Sequence, residues 1–381
     1  MHSIEQYFIM IKIHELFQLY RGKKRKDTST DQSIEAAKEW LLRAQDATPD
    51  GGVAIRYSLI NGWESSYPET TGYIIPTLLN LSNISGDVAL GNRAMRMADW
   101  EISIQQEDGS FIGGSLKQPT GKLVFDTGQI IFGLLRAFEH SKDTKYLNAA
   151  VKAGDWLVAI QSDDGAWRQH VHFNIPHSYH SRVAWAIARL YETVGDAKYK
   201  NTVLKHIRWV LSNQLGNGWF EQAGFTLENH KAPYTHTIAY TIRGLLETGI
   251  ILNRTDFIEA ARKSANQAIK LITSQGFLWG KYDRNWERKA NFSCLTGNAQ
   301  FSIIFLRLFQ LNKEAMYLEG AKNLNSYLRS RQIVGEDVSK NIAGAIAGSW
   351  PIWGEYERFS LPNWATKFFI DALMLEKSVR I

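Results

Sequence analysis

The stretch Lys152-Ala153-Gly154-Asp155-Trp156-Leu157-Val158-Ala159-Ile160-Gln161-Ser162-Asp163-Asp164-Gly165-Ala166-Trp167 decides how this chain is read. Its apolar residues recur at helical spacing up to Ile160. Gln161 follows five residues after Trp156, and the Asp164-Gly165 turn stops the helix. Working outward, the same aromatic–glutamine pair returns as Trp40/Gln45, Trp100/Gln105, Trp209/Gln214 and Tyr327/Gln332, with a degenerate copy at Lys270/Gln275. The glutamines stand 60, 56, 53, 61 and 57 residues apart. A fixed period of this length marks a repeat architecture.

Each repeat has room for two helices. The first ends at the glutamine. The second opens after the turn, as in Thr71-Gly72-Tyr73-Ile74-Ile75, Thr127-Gly128-Gln129-Ile130-Ile131 and Thr296-Gly297-Asn298-Ala299-Gln300, with further copies near His180, Thr237 and Asn363. The second helices are apolar on almost every side, which marks them as buried; the first are amphipathic and therefore outer. Six such hairpins predict an all-α (α/α)6 toroid with inner and outer helix rings. Closure leaves no terminal repeat with an exposed apolar face. Residues 30–381 are thus expected to form one toroid catalytic domain after an N-terminal segment, 1–29, although 381 residues would allow two or three domains.

The quoted stretch resembles the Gln-Trp repeat of squalene and oxidosqualene cyclases and protein prenyltransferases. Similar toroids carry polysaccharide lyases, uronyl hydrolases and sugar epimerases. The resemblance implies that the glutamine caps and bridges backbone while the aromatic packs between helices. It speaks to fold, and function has to come from the site. The terpenoid branch finds little support: there is no Asp-x-Asp-Asp run, and Cys294 follows Asn291-Phe292-Ser293 rather than the Asp-x of a prenyltransferase zinc site.

Composition narrows the function further. Hydrophobic residues at 44% and charged residues at 22% exclude disorder. The net charge of +6 is scattered, which suits an acidic substrate and argues against nucleic acid. A single Cys excludes an internal disulfide and a Cys-rich zinc site. The dense basic run Arg21–Lys26 follows an aromatic stretch, so residues 4–26 read either as a peripheral membrane contact or as a helix packed on the body with a solvated tail. Without signal-peptide features the expected location is cytoplasmic.

In such a toroid the loops before the inner helices share one face with the helix N-termini, which suit anionic ligands. The third loop, His170-Val171-His172-Phe173-Asn174-Ile175-Pro176-His177-Ser178-Tyr179-His180-Ser181-Arg182, holds four of the ten histidines. Its Asn174-to-Tyr179 part is weakly similar to an Asn-Asn-His-Ser-Tyr stretch of toroid alginate lyases. The next loop adds Tyr234 and His236. A lyase or C5-epimerase must neutralise a uronate carboxylate and remove the C5 proton. Asn174, His177 and Arg182 are expected to bind the carboxylate, with His177, Tyr179, His180, Tyr234 and His236 as the catalytic candidates. Trp63, Glu69, Asp126, Gln129, Tyr240, Trp286, Asn298, Trp353, Trp364 and Lys367 are candidates for binding an acidic poly- or oligosaccharide in a cationic, aromatic cleft.

Other readings stay open. Glu64, Glu69, Asp126 and Glu355 are the carboxylates a uronyl-type glycoside hydrolase would draw on. Glu69 also fits a capping box with Ser66, and Asp126 fits an N-cap with Gln129 three residues on. His170 and His172 would suit a structural hairpin, or zinc with His177 or His180; no metal or cofactor is expected, because no carboxylate or Cys stands at ligand spacing. An apolar cavity would favour a terpenoid cyclase. A cavity without paired titratable groups would favour a sugar-binding toroid with no activity.

Overall fold

The computed structural model describes residues 14–19 and 28–379. Twelve long helices alternate between two rings. The outer ring is α1 (Thr30–Asp46), α3 (Val88–Ile104), α5 (Thr144–Ala159), α7 (Ala197–Ser212), α9 (Thr255–Lys270) and α11 (Ala315–Arg331). The inner ring is α2 (Pro68–Ser85), α4 (Val124–Ser141), α6 (Ser181–Val194), α8 (Thr235–Ile251), α10 (Leu295–Asn312) and α12 (Asn363–Ser378). Neighbouring inner helices pack side by side, and α12 meets both α1 and α2, which closes the toroid. Strands are short and confined to the loops. Arg56–Ser58 pairs antiparallel with Ser360–Pro362, so the first and last repeats also join through backbone.

The repeat glutamines act as clamps. Gln45, Gln105, Gln161 and Gln332 each donate from Nε2 to a glycine carbonyl of their own turn, Gly51, Gly109, Gly165 and Gly344, at 3.0–3.1 Å. The same amide reaches a carbonyl of the next outer helix: Arg93, Ala149, Thr202 and, across the closure, Ser33. Gln214 reaches Ala260 in the same way. Each repeat is thus tied to its successor by hydrogen bonds worth about 0.5–1.5 kcal/mol apiece. Trp40, Trp100, Trp156 and Tyr327 are buried beside them.

The fifth hairpin departs from the expected register. Thr273 N–H donates to Phe277 O just as Ser162 N–H donates to Ala166 O, which aligns Ile272, not Gln275, with Gln161. Gln275 is an exposed turn residue. The Thr-Gly openings of the inner helices serve close approach: a Cβ at Gly133 would lie 2.2 Å from the Gly72 carbonyl, so α2 and α4 touch backbone to backbone.

Residues 14–19 are helical and dock on the body. Glu15 is buried and accepts from Tyr57 Oη (2.8 Å) and Ser339 Oγ (2.7 Å). This part of the N-terminal segment therefore packs on the toroid. The basic run Arg21–Lys26 and the rest of the proposed membrane contact lie outside the described residues. Among the described residues no helix is long and apolar enough to cross a membrane.

Candidate active site

The loops leading into the inner helices surround a cavity of about 570 Å³ at the helix N-termini. Its walls are aromatic, with Tyr67, Tyr73, Tyr234, Tyr240, Tyr356 and Trp364 among them. Its charged lining is Arg56, Glu64, Glu69, Glu355 and Glu357. The expected cationic cleft is therefore corrected: carboxylates outnumber cations here, and the cavity is not the apolar chamber a terpenoid cyclase would need. Arg56 is held between Glu64 (3.1 Å) and Glu357.

Both capping readings are overturned. Helix α2 begins at Pro68 with Tyr67 as its N-cap, and Ser66 Oγ donates to Asp50 instead (2.6 Å). Helix α4 begins at Val124, which places Asp126 inside the first turn. Glu69 and Asp126 are thereby released for other work on the first turns of adjacent inner helices. Glu69 is 8% exposed and faces the cavity; Asp126 is sealed behind it. The Tyr67 hydroxyl lies between the two carboxyls. Neither Asp126 oxygen has a partner at full hydrogen-bond geometry, although Tyr67 and the Gly114 N–H offset part of its cost. Burial raises both groups well above the usual carboxylate range, and their mutual repulsion raises Glu69 further, against the opposing pull of Arg182. Gly113 leaves room for this arrangement, since a Cβ there would lie 2.9 Å from Asp126 Oδ2.

Tyr234, His236, Tyr240 and Trp364 also line the cavity. His236 meets Gln300 through Nδ1 (2.6 Å) and packs against Tyr240, with ring centres 4.3 Å apart and planes tilted by 54°. Burial lowers its pKa to about 3, so the imidazole is neutral. Tyr234 donates to Glu355 (2.9 Å), whose carboxylate also takes Lys281 (2.5 Å). Burial and that carboxylate push the phenol up, which keeps it protonated near neutral pH. Trp364 Nε1 donates to the Tyr356 hydroxyl (2.8 Å).

In the third loop His172 and Phe173 line the cavity, but the expected catalytic residues His177, Tyr179 and His180 lie in the wall behind it. The chain from Ser178 to His180 forms a 3-10 turn, and α6 starts only at Ser181. His177 places both ring nitrogens 2.9 Å from backbone carbonyls, those of Gly224 and His172. Tyr179 and His180 are fully buried, and neither has a hydrogen-bond partner for its side-chain polar atoms. Burial lowers His177 to about 4 and His180 well below the ordinary value. These rings pack as neutral aromatics: His177 stacks on Tyr179 at 4.6 Å, and His180 meets both edge-on. Asn174 is exposed on a turn of positive φ, and His170 rests on Trp156 rather than in a strand. Among the described residues no group of three or more His, Cys, Asp or Glu stands ready for a metal ion, so the zinc alternative has no site there.

The other expected binding residues are dispersed. Arg182 binds Gln129 (2.5 Å) on the ring axis. Trp63 packs on Trp40 and Trp286 on Trp219. Asn298 is consumed by Leu278, Ser293 and Cys294. Trp353 sits on a separate rim groove with Arg288 and Arg358. Lys367 pairs with Asp371 at the far end of the ring. Sequence reasoning missed Tyr67 as the link between two acids. It also missed Glu101, a fully buried α3 carboxyl without a hydrogen-bond partner, raised by burial and by Asp126. A Glu among Met97, Ala98 and Trp100 on an outer helix was the available signal.

Comparison with known proteins agrees on the fold. Residues 112–296 match the family model of the ulvan lyase N-terminal domain. No curated protein sequence matches the chain. Among solved structures, an unsaturated glucuronyl hydrolase specific for heparin superposes with a TM-score of 0.73 at 15% identity, covering 92% of this chain and 97% of that one. The cellobiose 2-epimerase of Bacillus thermoamylovorans gives 0.74 at 10% identity, covering 91% and 98%. An unsaturated glucuronyl hydrolase from a Bacillus species, responsible for glycosaminoglycan degradation, gives 0.72 at 15%, covering 92% and 98%. The chain has the toroid fold of these sugar-active enzymes.

Proposed function

We propose that the protein is a carbohydrate-active enzyme that cleaves the glycosidic bond of a uronate-containing oligosaccharide, with Glu69 and Asp126 as its acid–base pair. The observation that carries this reading is the buried Glu69–Asp126 carboxyl pair beside Tyr67, one member open to an aromatic cavity. Two carboxyls close together in a desolvated site hold one proton between them near neutral pH. Glu69, the member in reach of substrate, donates that proton to the reacting sugar. The remaining carboxylate charge, spread through Tyr67, assists removal of a proton from the attacking water. The aromatic wall stacks on the sugar ring. A uronate carboxylate finds Arg56 and the first-turn N–H groups of the inner helices. The glucuronyl hydrolases among the structural relatives support an acidic sugar as substrate.

C5 proton abstraction, as lyase or epimerase, is the second reading. It draws on the match to the ulvan lyase N-terminal domain and on His236 and Tyr234 in the cavity wall. The phenols of Tyr234 and Tyr240, raised by burial and by the carboxylates of Glu355 and Glu69, weigh against it.

One experiment separates the two. Intact uronate polymers and their unsaturated oligosaccharides are incubated with the protein, and the ultraviolet absorbance of the C4–C5 double bond is followed. Loss of absorbance from unsaturated oligosaccharides, abolished by Glu69→Gln, is the expected outcome. Absorbance that rises from intact polymer and survives Glu69→Gln overturns the hydrolase reading in favour of the lyase. Solvent deuterium entering C5 without cleavage would mark an epimerase.

A further inference from the structure

A second cavity, of about 550 Å³, lies on the ring axis beyond the loop-end cavity and is lined by residues of the inner helices. Arg182, Arg243, Arg307 and Lys367 line it, against two carboxylates, Glu247 and Asp371. The pairings do not balance. Arg307 takes Glu247 through two bonds of 3.0 and 2.9 Å. Lys367 takes Asp371 (2.5 Å), whose other oxygen accepts from Thr77 (2.8 Å). Arg243 is left 3.4 Å from a Glu247 oxygen that Arg307 already occupies. Arg182 has no carboxylate partner: Nε donates to Gln129, while Nη1 is buried without a hydrogen-bond partner.

Arg182 is 2% exposed and stands on the axis itself, 4.8–5.9 Å from the ring centres of Tyr73, Phe132, Trp185, Tyr240 and Phe368, which come from five inner helices. Arg243 shares the Trp185 ring at 5.0 Å. Aromatic faces compensate a guanidinium only in part. Arg182 stands on the first turn of α6, where the helix dipole opposes a cation. A buried charge left without an acceptor is costly, and a guanidinium fork matches an oxyanion in shape as well as charge.

We propose that this cavity is a second binding site, which takes a small molecule through its sulfate, phosphate or carboxylate group, held by Arg182 and Arg243. Trp185 and Phe132, tilted by 58° with ring centres 4.5 Å apart, supply an apolar wall for the rest of the carrier. The site is distinct from the loop-end cavity; Tyr73 is the wall common to both.

The test uses the full chain. Thermal unfolding is followed while sodium phosphate, sodium sulfate or sodium glucuronate replaces sodium chloride at constant ionic strength. A saturable rise in Tm with at least one oxyanion is expected, and Arg243→Gln should weaken the apparent affinity about tenfold or more. A rise of equal size in wild type and Arg243→Gln overturns the proposal, as does no rise beyond chloride. Calorimetric titration of the wild-type protein with the same three salts removes any dependence on how the variant folds. One saturable site is expected there, and heats no larger than those of chloride overturn the proposal. Saturation by phosphate rather than glucuronate assigns a phosphorylated carrier, and the converse a uronate. Glucuronate binding that survives Arg243→Gln belongs to the loop-end cavity and counts against the second site.

Discussion

Glu64, Glu69, Glu355 and Glu357 face the loop end of the ring, whereas Arg182, Arg243, Arg307 and Lys367 face the other end. Helix polarity accounts for only part of this contrast: Glu69 stands on the first turn of α2 and Arg307 in the C-terminal half of α10, but Arg182 stands on the first turn of α6 and Lys367 in the N-terminal half of α12. It does not explain the charges that are sealed inside, because a dipole end does not require burial. Asp126 at one end and Arg182 at the other are each less than 3% exposed and lack full hydrogen-bond partners. The comparison teaches that the buried, under-partnered charges mark where a ligand or a proton belongs.

The harshest way to break this contrast is Glu69→Gln. A loss of about 10²–10⁴ in kcat/KM on the preferred uronide is expected, and activity within threefold of wild type would remove the acid pair from the mechanism. The second is pH. Burial raises both carboxyls in the folded state, so their contribution to stability is full at acid pH and declines as pH rises through the folded-state values. The buried neutral histidines act in the opposite sense in both proteins, so the carboxyl effect is read as a difference: the stability of wild type relative to Glu69→Gln should fall as pH rises from about 5 to about 9. Denaturant titrations of both proteins across that range check the sign; a wild type that gains stability relative to Glu69→Gln as pH rises contradicts it. Activity should be bell-shaped about the singly protonated pair.

The scaffold shared by the two ends can be probed as well. Gln332→Ala removes bonds to Ser33 and Gly344 across the closure and is expected to cost about 2 kcal/mol, while Gln275→Ala should stay within about 0.5 kcal/mol. Equal costs would overturn the register in which Ile272 replaces the clamp. The smallest effect is expected at Tyr234→Phe, less than about tenfold in kcat under the hydrolase reading. A loss as large as that of Glu69→Gln would restore Tyr234 as a catalytic base.

Much of the scaffold was legible in sequence. Trp156, Gln161 and Gly165 form a local pattern whose spacing repeats, and helix periodicity separates inner from outer helices without reference to any contact. The same logic brought Glu69, Tyr234, His236, Tyr240 and Trp364 to the cavity, since each lies at or just before an inner-helix start. It failed for His177, Tyr179 and His180. Whether a loop residue faces the cavity or the wall depends on where its helix begins, and the 3-10 turn delays α6 to Ser181. Histidines so displaced are desolvated and neutral, and they pack as aromatics.

By itself the sequence determined the period, the hairpins and the closed all-α ring, because these follow from short-range patterns of apolar residues, glutamines and turn glycines. The tertiary structure alone decided which acids meet and which cations stay unpaired. Glu69 and Asp126 are 57 positions apart in the chain, and Arg182 touches rings from five helices. Burial and charge compensation are properties of such long-range neighbours, and no local pattern carries them.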